Sequence, residues 1–344
     1  MNVDTVKTSK RRRKKSATNT ELLHSLSERI IGQPHAMGSI APFVHMYQAG
    51  LCPEGRPAGV FLLVGPTGTG KTRTVEALAE ILHGSARNVL RVDCGEYQMD
   101  HEVAKLIGAP PGYLGHRETH PVLTQAKLAS VTSDSSSLSL VLFDEIEKAA
   151  PSFTRLLLGV LDKATLRLGD NNVVNFERSL IFLTSNVGAR GMMRELRPGF
   201  GFAAHTEKEE SATLDRLQKM GNAAVRREFS PEFLNRIDSV VTYKPLSEET
   251  LQQILDQQID LLQDHIESRL GENAFSLVVP KESRMFLLRQ GANSEYGARE
   301  LKRTLHQHLT QPLAALVAGG EVAPGANIRA DLHSSKKALR LRAA

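Results

Sequence analysis

Short apolar runs alternate with amphipathic stretches over the first two thirds of the chain. Helices are predicted at Glu21–Ile31, Pro34–Gln48 and Arg73–His83, where apolar residues recur at helical spacing. Strands are predicted at the runs rich in Val, Ile, Leu and Phe, namely Val60–Val64, Val89–Val92, Leu138–Phe143, Leu180–Thr184 and Val240–Tyr243. Two of these runs are almost continuously apolar, which is typical of parallel strands covered on both faces. The pattern predicts an α/β fold with a doubly wound parallel sheet.

The pattern changes at about Leu246. Glu248–Leu270 and Ala298–Val317 carry apolar residues at three- and four-residue spacing and are predicted as helices, with short strands at Ser276–Val279, Asn327–Leu332 and Leu339–Leu341. We therefore expect a large domain over residues 21–245 and a smaller, mostly helical α+β domain over residues 246–344. The segments predicted to be irregular are Ser130–Ser137 and Gly199–Ser211.

The positive charge of the chain is concentrated at its start. The net charge is +5, but residues 1–15 carry seven cations against one carboxylate, a local +6, so the remaining residues sum to −1. A nearly neutral body gives no electrostatic case for a nucleic-acid groove. Residues 1–20 are expected to form a disordered basic tail, either a solubilising leader or a weak contact for acidic partners or nucleic acid.

The sequence also bears on the compartment of the protein. No apolar run approaches the ~20 residues that a bilayer span requires, and the basic start lacks the hydrophobic segment of a secretory signal. Cys52 and Cys94 are the only cysteines, and their spacing is not that of a metal site. Thiols without a structural role fit a reducing compartment. We expect a cytoplasmic protein without membrane contact.

A phosphate-binding motif, G-x-x-x-x-G-K-T, connects the strand Val60–Val64 to the next helix. This order of strand, motif and helix is the context that such a loop requires. Its glycines let backbone N–H groups turn toward phosphates, and the positive helix end faces the same anion. Lys71 is expected to contact the outer phosphates, and the Thr72 hydroxyl to hold Mg²⁺. The predicted triphosphate site consists of Gly65, Pro66, Thr67, Gly68, Thr69, Gly70, Lys71 and Thr72.

Two adjacent carboxylates end the strand Leu138–Phe143. Asp144, at the strand tip, is expected to hold the Mg²⁺ that bridges the outer phosphates. Glu145 is expected to orient and deprotonate an attacking water, and the Asn186 amide at the end of another strand to position it. The alternative is that both acids open the next helix, because carboxylates favour a helix N-terminus.

Several motifs in one order resemble those of the Clp family of AAA+ unfoldases and disaggregases. Beside the phosphate site, they are Gly108–Gly115, Leu183–Asn186, Ser230–Asp238 and Tyr296–Arg303. The resemblance is to the second ATPase module of the tandem members and runs from about Glu28 to the end of the chain. It implies an AAA+ fold, ATP and Mg²⁺ as cofactors, and a hexameric ring of identical subunits.

The resemblance also implies roles for residues outside the phosphate loop. Asn186 matches the first sensor of the family, and Arg299 matches the second sensor, which contacts the γ-phosphate from the small domain. Arg236 matches the arginine finger, which contacts the nucleotide of the neighbouring subunit, so hydrolysis would require assembly. For both arginines the alternative is a salt bridge to a surface carboxylate. The stretch that cradles the adenine is matched by Ile31, Gly32 and Gln33.

Two further segments of the family pattern concern partners. Tyr113, with Leu114, matches a mobile loop that lines a central pore and grips extended polypeptide; an ordinary loop tyrosine is the alternative. The chain departs from the pattern at His116–Pro121 and at Lys163–Leu168, the second pore loop, which leaves substrate grip open. A loop that docks a separate peptidase ring is matched by Phe200, Gly201 and Phe202, which could instead pack into their own domain.

These observations predict an ATP-dependent unfoldase or chaperone that hydrolyses ATP in a ring and threads unfolded or tagged polypeptide through a pore. The alternative is a nucleotide-switched remodelling or scaffold ATPase that acts on one dedicated protein complex. The sequence contains no G-x-S-x-G or H-E-x-x-H protease motif, so degradation would need a Clp-type peptidase. Because only one ATPase module is present, recognition is expected to depend on an adaptor or on the basic tail.

Overall fold

The computed structural model describes residues 19–108, 121–195, 207–291, 297–333 and 338–343, with the backbone alone for residues 19, 20 and 207–212. The basic tail up to residue 18 lies outside the described residues. So do the predicted pore residues Tyr113 and Leu114 and the predicted peptidase-docking residues Phe200, Gly201 and Phe202.

Helices and strands alternate through most of the described chain. The helices are α1 (Asn19–Arg29), α2 (Pro34–Ala49), α3 (Lys71–His83), α4 (Asp100–Ile107), α5 (Gln125–Ser130), α6 (Pro151–Lys163), α7 (Ala189–Glu195), α8 (Glu207–Glu228), α9 (Pro231–Leu234), α10 (Glu248–Leu270), α11 (Lys281–Gly291), α12 (Ala298–Leu305) and α13 (Gln311–Ala318). The strands are β1 (Gly59–Val64), β2 (Leu90–Asp93), β3 (Ser139–Asp144), β4 (Thr165–Arg167), β5 (Val173–Asn175), β6 (Ser179–Ser185), β7 (Ser239–Thr242), β8 (Ser276–Val278), β9 (Asn327–Leu332) and β10 (Leu339–Ala343).

A parallel sheet of five strands, in the order β2-β3-β6-β1-β7, forms the centre of the larger unit. Every residue of β1 and of β6 is buried, as their continuously apolar sequences predict. All five predicted strands are present, with bounds within one residue of those expected. Because the strands run in the same direction, their carboxyl ends lie at one edge. The predicted α/β fold is confirmed.

Both faces of this sheet pack against helices. Val60 and Leu62 of β1 belong to a core that includes α6, whereas Phe61 and Leu63 belong to a core that includes α1, α2 and α3. On the second face Phe61 stacks on Phe182 of β6, with ring centroids 5.2 Å apart. Because side chains of a strand alternate between faces, one strand joins both cores. This double burial fixes the position of β1 and of the loop that follows it.

The smaller unit contains α10 to α13 and a three-stranded sheet in the order β10-β9-β8. Its core joins apolar residues of α10, α11 and α12 to β9. The predicted continuous helix Ala298–Val317 is wrong in one respect, since a π-helical turn at His306–Thr310 separates α12 from α13. Pro312 has no N–H to donate to the carbonyl four residues earlier, and a π-turn accommodates that loss.

Three other segments differ from the sequence prediction. Gly199–Ser211 was expected to be irregular, but α8 begins at Glu207, so the expectation is wrong for its last five residues. That stretch lacks apolar periodicity, although its Glu and Lys residues favour a helix. Helix α1 begins at Asn19, two residues inside the expected tail. Strands β4 and β5 form an antiparallel hairpin in the region of the second pore loop, where no strand was predicted.

Two further observations concern the cysteines and the helices. Cys52 and Cys94 are both free thiols. In the part of the chain that the structure describes, no helix combines the length and apolar composition that crossing a bilayer requires.

Candidate active site

A cleft of about 370 Å³ opens at the carboxyl ends of β3 and β6, where the phosphate loop faces the smaller unit. The larger unit lines it with Thr67, Gly68, Thr69, Gly70, Lys71, Thr72, Asp144, Glu145, Thr184 and Asn186. The smaller unit lines it with Ile254, Gln257 and Gln258 of α10 and with Ala298, Arg299 and Lys302 of α12. Most of the predicted site residues therefore share one cleft. Those that do not line it are Gly32, Gln33, Gly65, Pro66 and Arg236.

The phosphate loop folds around the side chain of Lys71. The loop leaves β1 at Gly65, whose φ of 151° and contact with Tyr243 exclude a side chain: a Cβ would lie 2.7 Å from the Tyr243 carbonyl oxygen. The Lys71 Nζ donates to the carbonyl oxygens of Gly65 and Pro66 at 2.6 and 2.9 Å. It also donates to the Asn186 Oδ1 at 2.9 Å. The ammonium group is thus fixed at the base of the cleft.

The electrostatic environment of Lys71 suits an anionic ligand. The pKa of Lys71 is lowered to about 8: burial is the largest cause, the carboxylates of Glu147, Asp144 and Glu145 oppose it, and the nearby Arg299 adds a smaller lowering. The ammonium group has lost hydration that these carboxylates only partly replace. A phosphate beside it would supply the missing counter-charge, and we expect its binding to raise this pKa.

Thr184 of β6 positions both adjacent carboxylates. Its hydroxyl donates to the Asp144 Oδ1 and accepts the backbone N–H of Glu145 at 2.9 Å. Arg91, on the neighbouring strand β2, forms an ion pair with the Asp144 Oδ2. Asp144 is therefore held by a hydroxyl and a guanidinium at the strand tip, with its carboxylate lining the cleft.

Glu145 adopts a backbone conformation that is uncommon for a residue with a side chain. Its φ of 57° and ψ of 51° are left-handed, at a cost of about 1–3 kcal/mol. This turn ends β3 and directs the side chain toward Asn186, whose Nδ2 donates to the Glu145 Oε1 at 3.3 Å. The Glu145 Oε2 pairs with the Lys148 Nζ at 2.5 Å. Both carboxylate oxygens are thus oriented by polar partners.

Asn186 joins the predicted base to the phosphate-binding lysine. Its amide accepts from Lys71 through Oδ1 and donates to Glu145 through Nδ2. Its backbone N–H donates to the Glu147 Oε1 at 2.9 Å, which fixes the main chain at this position. A group bound between Lys71 and Glu145 would therefore lie against this amide.

The smaller unit contacts the phosphate loop directly. The backbone N–H of Ala298, at the start of α12, donates to the Gly68 carbonyl oxygen at 3.1 Å. Gly297 precedes it with a φ of 53°, and a Cβ there would lie 2.9 Å from the same oxygen. This backbone contact places Arg299 in the cleft. Within the described residues, Arg299 has no ion pair in its own chain.

Replacing Gly297 with Ala should weaken nucleotide binding about tenfold, because the added methyl group separates α12 from the phosphate loop. Left-handed strain of about 1–3 kcal/mol would also lower the unfolding temperature. Calorimetric titration with ADP and thermal unfolding would measure the two effects. Gly320→Ala is the matched control, since Gly320 has a φ of 71° and no atom within 4 Å of the position that a Cβ would occupy. Equal losses of ADP affinity in both variants would contradict a specific contact at Gly297.

In the segment matched to the adenine cradle, Ile31 lines the cleft, whereas Gln33 is buried beneath it and holds the backbone in place. Ile31 lines the cleft together with Ile30, Leu246 and Ile254, which gives this end an apolar wall suited to a base. Gln33 is fully buried: its Nε2 donates to the Lys244 and Thr69 carbonyl oxygens at 2.8 and 3.3 Å. Its Oε1 accepts the Lys244 N–H at 3.1 Å. Gln33 thus ties the phosphate loop to the segment that leads into α10.

Arg236 lies outside the cleft of its own chain. Its Nη1 donates to the Glu232 carbonyl oxygen at 2.6 Å, and its Nη2 lies 3.3 Å from the Glu232 carboxylate and 3.8 Å from that of Asp162. Its buried Nε has no partner among the described residues. Arg236 therefore forms the intrachain ion pairs considered from the sequence, and its action on a neighbouring subunit stays a prediction.

The residues at the cleft fit Mg²⁺ bound together with a nucleotide. Mg²⁺ in such sites uses one or two carboxylates with phosphate oxygens and water, not a cage of protein ligands. Asp144 and the Thr72 hydroxyl both line the cleft beside the phosphate loop. The described residues contain no cluster of three or more His, Cys, Asp or Glu side chains that could hold a metal ion.

Sequence reasoning missed three residues that organise the site, Thr184, Glu147 and Arg91. A hydroxyl within the apolar strand Leu180–Thr184 was a usable signal, because a buried polar group requires a partner. Glu147 and Arg91 carried no such signal, since charged residues next to strands and helices are common. Their roles depend on which strands become neighbours.

Comparison with known proteins identifies the family. The family model of the AAA domain (Cdc48 subfamily) matches residues 56–240, and that of the C-terminal D2-small domain of ClpB protein matches residues 246–330. The chain belongs to the AAA family, with a small domain of the ClpB type. The resemblance to Clp proteins inferred from the motifs is thereby confirmed.

Similar proteins agree with this assignment. The chain is 36% identical to the chaperone protein ClpB of Bdellovibrio bacteriovorus, over 92% of this chain and 34% of ClpB. It is 34% identical to the ATP-dependent Clp protease ATP-binding subunit ClpC of Staphylococcus aureus, over 91% and 36%. A Saccharomyces cerevisiae Hsp104–casein complex in an extended conformation matches with a TM-score of 0.76 and 25% identity, over 94% of this chain and 52% of that one. The chain thus spans about a third of the length of these ClpB and ClpC relatives.

Proposed function

We propose that this chain hydrolyses ATP in a ring of identical subunits, a homo-hexamer, and uses the cycle to unfold protein substrates by threading them through a central pore. The observation that carries the proposal is the linked set of Lys71, Asn186 and Glu145 in one cleft. This set combines a phosphate-binding cation, an orienting amide and a carboxylate base. Action on protein substrates is supported by the relatives, which include the ClpB chaperones and an Hsp104 in complex with casein.

In this proposal, six side chains of the cleft each have a role in the reaction. Lys71 binds the outer phosphates, which displace its bonds to the loop carbonyls. Asn186 and Glu145 hold the attacking water between them, and Glu145 accepts its proton. Arg299 contacts the γ-phosphate from the smaller unit. Thr72 and Asp144 would hold Mg²⁺ with the phosphate oxygens, and that ion supplies neutralisation of phosphate charge.

Glu145 must change partners before it can act as a base. Its Oε2 pairs with Lys148, and its Oε1 accepts from Asn186. Both carboxylate oxygens are therefore occupied, and an attacking water needs one of them as its acceptor. Lys148 is half-exposed and sits on a flexible stem, so the ion pair is weak enough to open when water and phosphate enter.

Partners other than the substrate follow from the same proposal. Degradation would require a separate peptidase ring or an adaptor, with Phe200 and Phe202 as docking residues. The basic tail would make at most weak contacts with nucleic acid. The two free thiols agree with a cytoplasmic location.

Replacing Tyr113 with Ala should abolish the stimulation of ATP turnover by an unfolded fluorescent protein, because the tyrosine side chain is proposed to make the apolar contact with the substrate polypeptide. Basal turnover should persist, since no step of the proposed ATP chemistry is assigned to Tyr113. Tyr113→Phe is the matched control and should retain stimulation. Turnover that responds to substrate equally in the wild type and in Tyr113→Ala would contradict threading. It would favour a nucleotide-switched remodelling or scaffold ATPase that acts on one protein complex.

A further inference from the structure

The smaller unit contributes a second cation to the cleft beside Arg299. Arg299 and Lys302 lie three residues apart on α12 and therefore on the same face of the helix. Both line the cleft, and Lys302 lies near Arg73 and Glu76 of the first turns of α3. The proposed hydrolysis mechanism uses Arg299 but gives no role to Lys302.

Two other cations that line the cleft, Arg73 and Arg29, already have partners. Arg73 forms a two-pronged interaction with the Glu80 carboxylate, at 2.8 and 3.3 Å. The Arg29 Nε lies 3.4 Å from the same carboxylate. The Lys302 side chain has no ion pair or hydrogen bond within the described residues. Glu76 opposes its charge, but the Glu76 carboxylate also lies 3.9 Å from the Arg73 Nη1. The wall of the cleft at this position therefore has unbalanced positive charge.

This environment disfavours the charged form of Lys302. Burial lowers the pKa of Lys302 and the charge of Arg73 lowers it further, while Glu76 partly opposes both. Lys302 is exposed as a whole residue, but the surrounding protein removes water from its ammonium group. An anion placed between Lys302 and α3 would relieve this repulsion.

The position of Lys302 along the cleft indicates which part of a nucleotide it meets. Lys71 and Asn186 occupy the end for the outer phosphates, and Ile30, Leu246 and Ile254 form the apolar end. Lys302 lies near Arg73, in the first turn of α3, and the N–H groups of a first helical turn attract the phosphate nearest the helix. That phosphate lies between the outer phosphates and the base.

We propose that Lys302 binds the α-phosphate of the nucleotide, so that the smaller unit holds ADP and ATP alike through this residue. The inference rests on the proposed nucleotide site. Arg299, at the γ-phosphate, would distinguish ATP from ADP, whereas Lys302 would keep α12 on the nucleotide after hydrolysis. The smaller unit would then remain docked until ADP leaves.

Lys302→Gln should weaken binding of ADP about tenfold, as expected for loss of one charge-assisted hydrogen bond. Binding of ATP, measured in the hydrolysis-deficient Glu145→Gln protein, should weaken by the same factor. Calorimetric titration with Mg²⁺ and each nucleotide gives both affinities. Lys302→Arg should retain most of the ADP affinity. Arg303→Gln is the matched control, because Arg303 is the next residue of α12, is 76% exposed and does not line the cleft.

Three outcomes would overturn the role of Lys302. These are an unchanged ADP affinity in Lys302→Gln, an equal loss in Arg303→Gln, or a loss confined to ATP, which would place Lys302 at the γ-phosphate. The proposed function fails in a different way. Wild-type protein that binds no ADP, or Lys71→Ala protein that binds it normally, would overturn the nucleotide site itself. Thermal unfolding of Lys302→Gln at the wild-type temperature would exclude a folding defect.

Discussion

Glu145→Gln should bind ATP and hydrolyse it about 10²–10⁴-fold more slowly than the wild type, since the amide cannot accept the proton of the attacking water. Gln occupies nearly the same volume, so its contact with Asn186 can be retained and nucleotide affinity should persist. The subunit would then stay in its ATP-bound form. Phosphate release measures turnover, and electron microscopy with ATP should show a stable ring.

Glu96→Gln is the matched control for the loss of one negative charge. Glu96 is exposed shortly after β2, on the same edge of the sheet, but it does not line the cleft. It should release phosphate at the wild-type rate. Normal phosphate release from Glu145→Gln would show that another group is the base. Equally slow release from Glu96→Gln would indicate a general effect of charge on the site.

The central sheet was predictable because its strands are encoded locally. Each of β1, β3 and β6 is an almost continuously apolar run. An amphipathic helix would have a polar face, whereas a strand buried on both faces of a parallel sheet does not. The phosphate loop was equally predictable, since its glycines and Lys71 lie within eight consecutive residues. Both predictions depend only on residues that are close in sequence, so they required no knowledge of which strands pair.

Contacts between distant segments could not be predicted in this way. Thr184 positions Glu145 only because β6 lies beside β3, and Gln33 meets Lys244 from more than two hundred residues away. The contact of Gly297 with Gly68 depends on how the smaller unit docks. A motif names residues, but the tertiary fold decides which of them touch.

These distant contacts converge on the backbone of the phosphate loop. The Thr69 carbonyl oxygen accepts from Gln33, and the Gly68 carbonyl oxygen accepts from the N–H of Ala298. One contact leads to the segment before α10 and the other to the start of α12. A change in the loop on phosphate binding would therefore act on both connections to the smaller unit.

Arg236→Ala should reduce ATP turnover about 10³–10⁵-fold, because a guanidinium supplied in trans neutralises charge on the transferred phosphoryl group. Nucleotide binding should be little affected, since Arg236 lies outside its own cleft. In the single chain its guanidinium is occupied by Glu232 and Asp162, so it must exchange these partners for the neighbouring nucleotide. Phosphate release should accordingly rise more steeply than linearly with wild-type protein concentration as rings form.

Mixing variants separates action in trans from a structural role of Arg236. Arg236→Ala subunits keep an intact cleft, and Lys71→Ala subunits keep an intact arginine while losing their own site. Each variant alone should be inactive, whereas an equal random mixture should recover up to about a quarter of the wild-type sites, because neighbours in a ring meet head to tail. A mixture as inactive as its components, or wild-type turnover that stays constant per subunit at every concentration, would contradict an arginine shared between subunits.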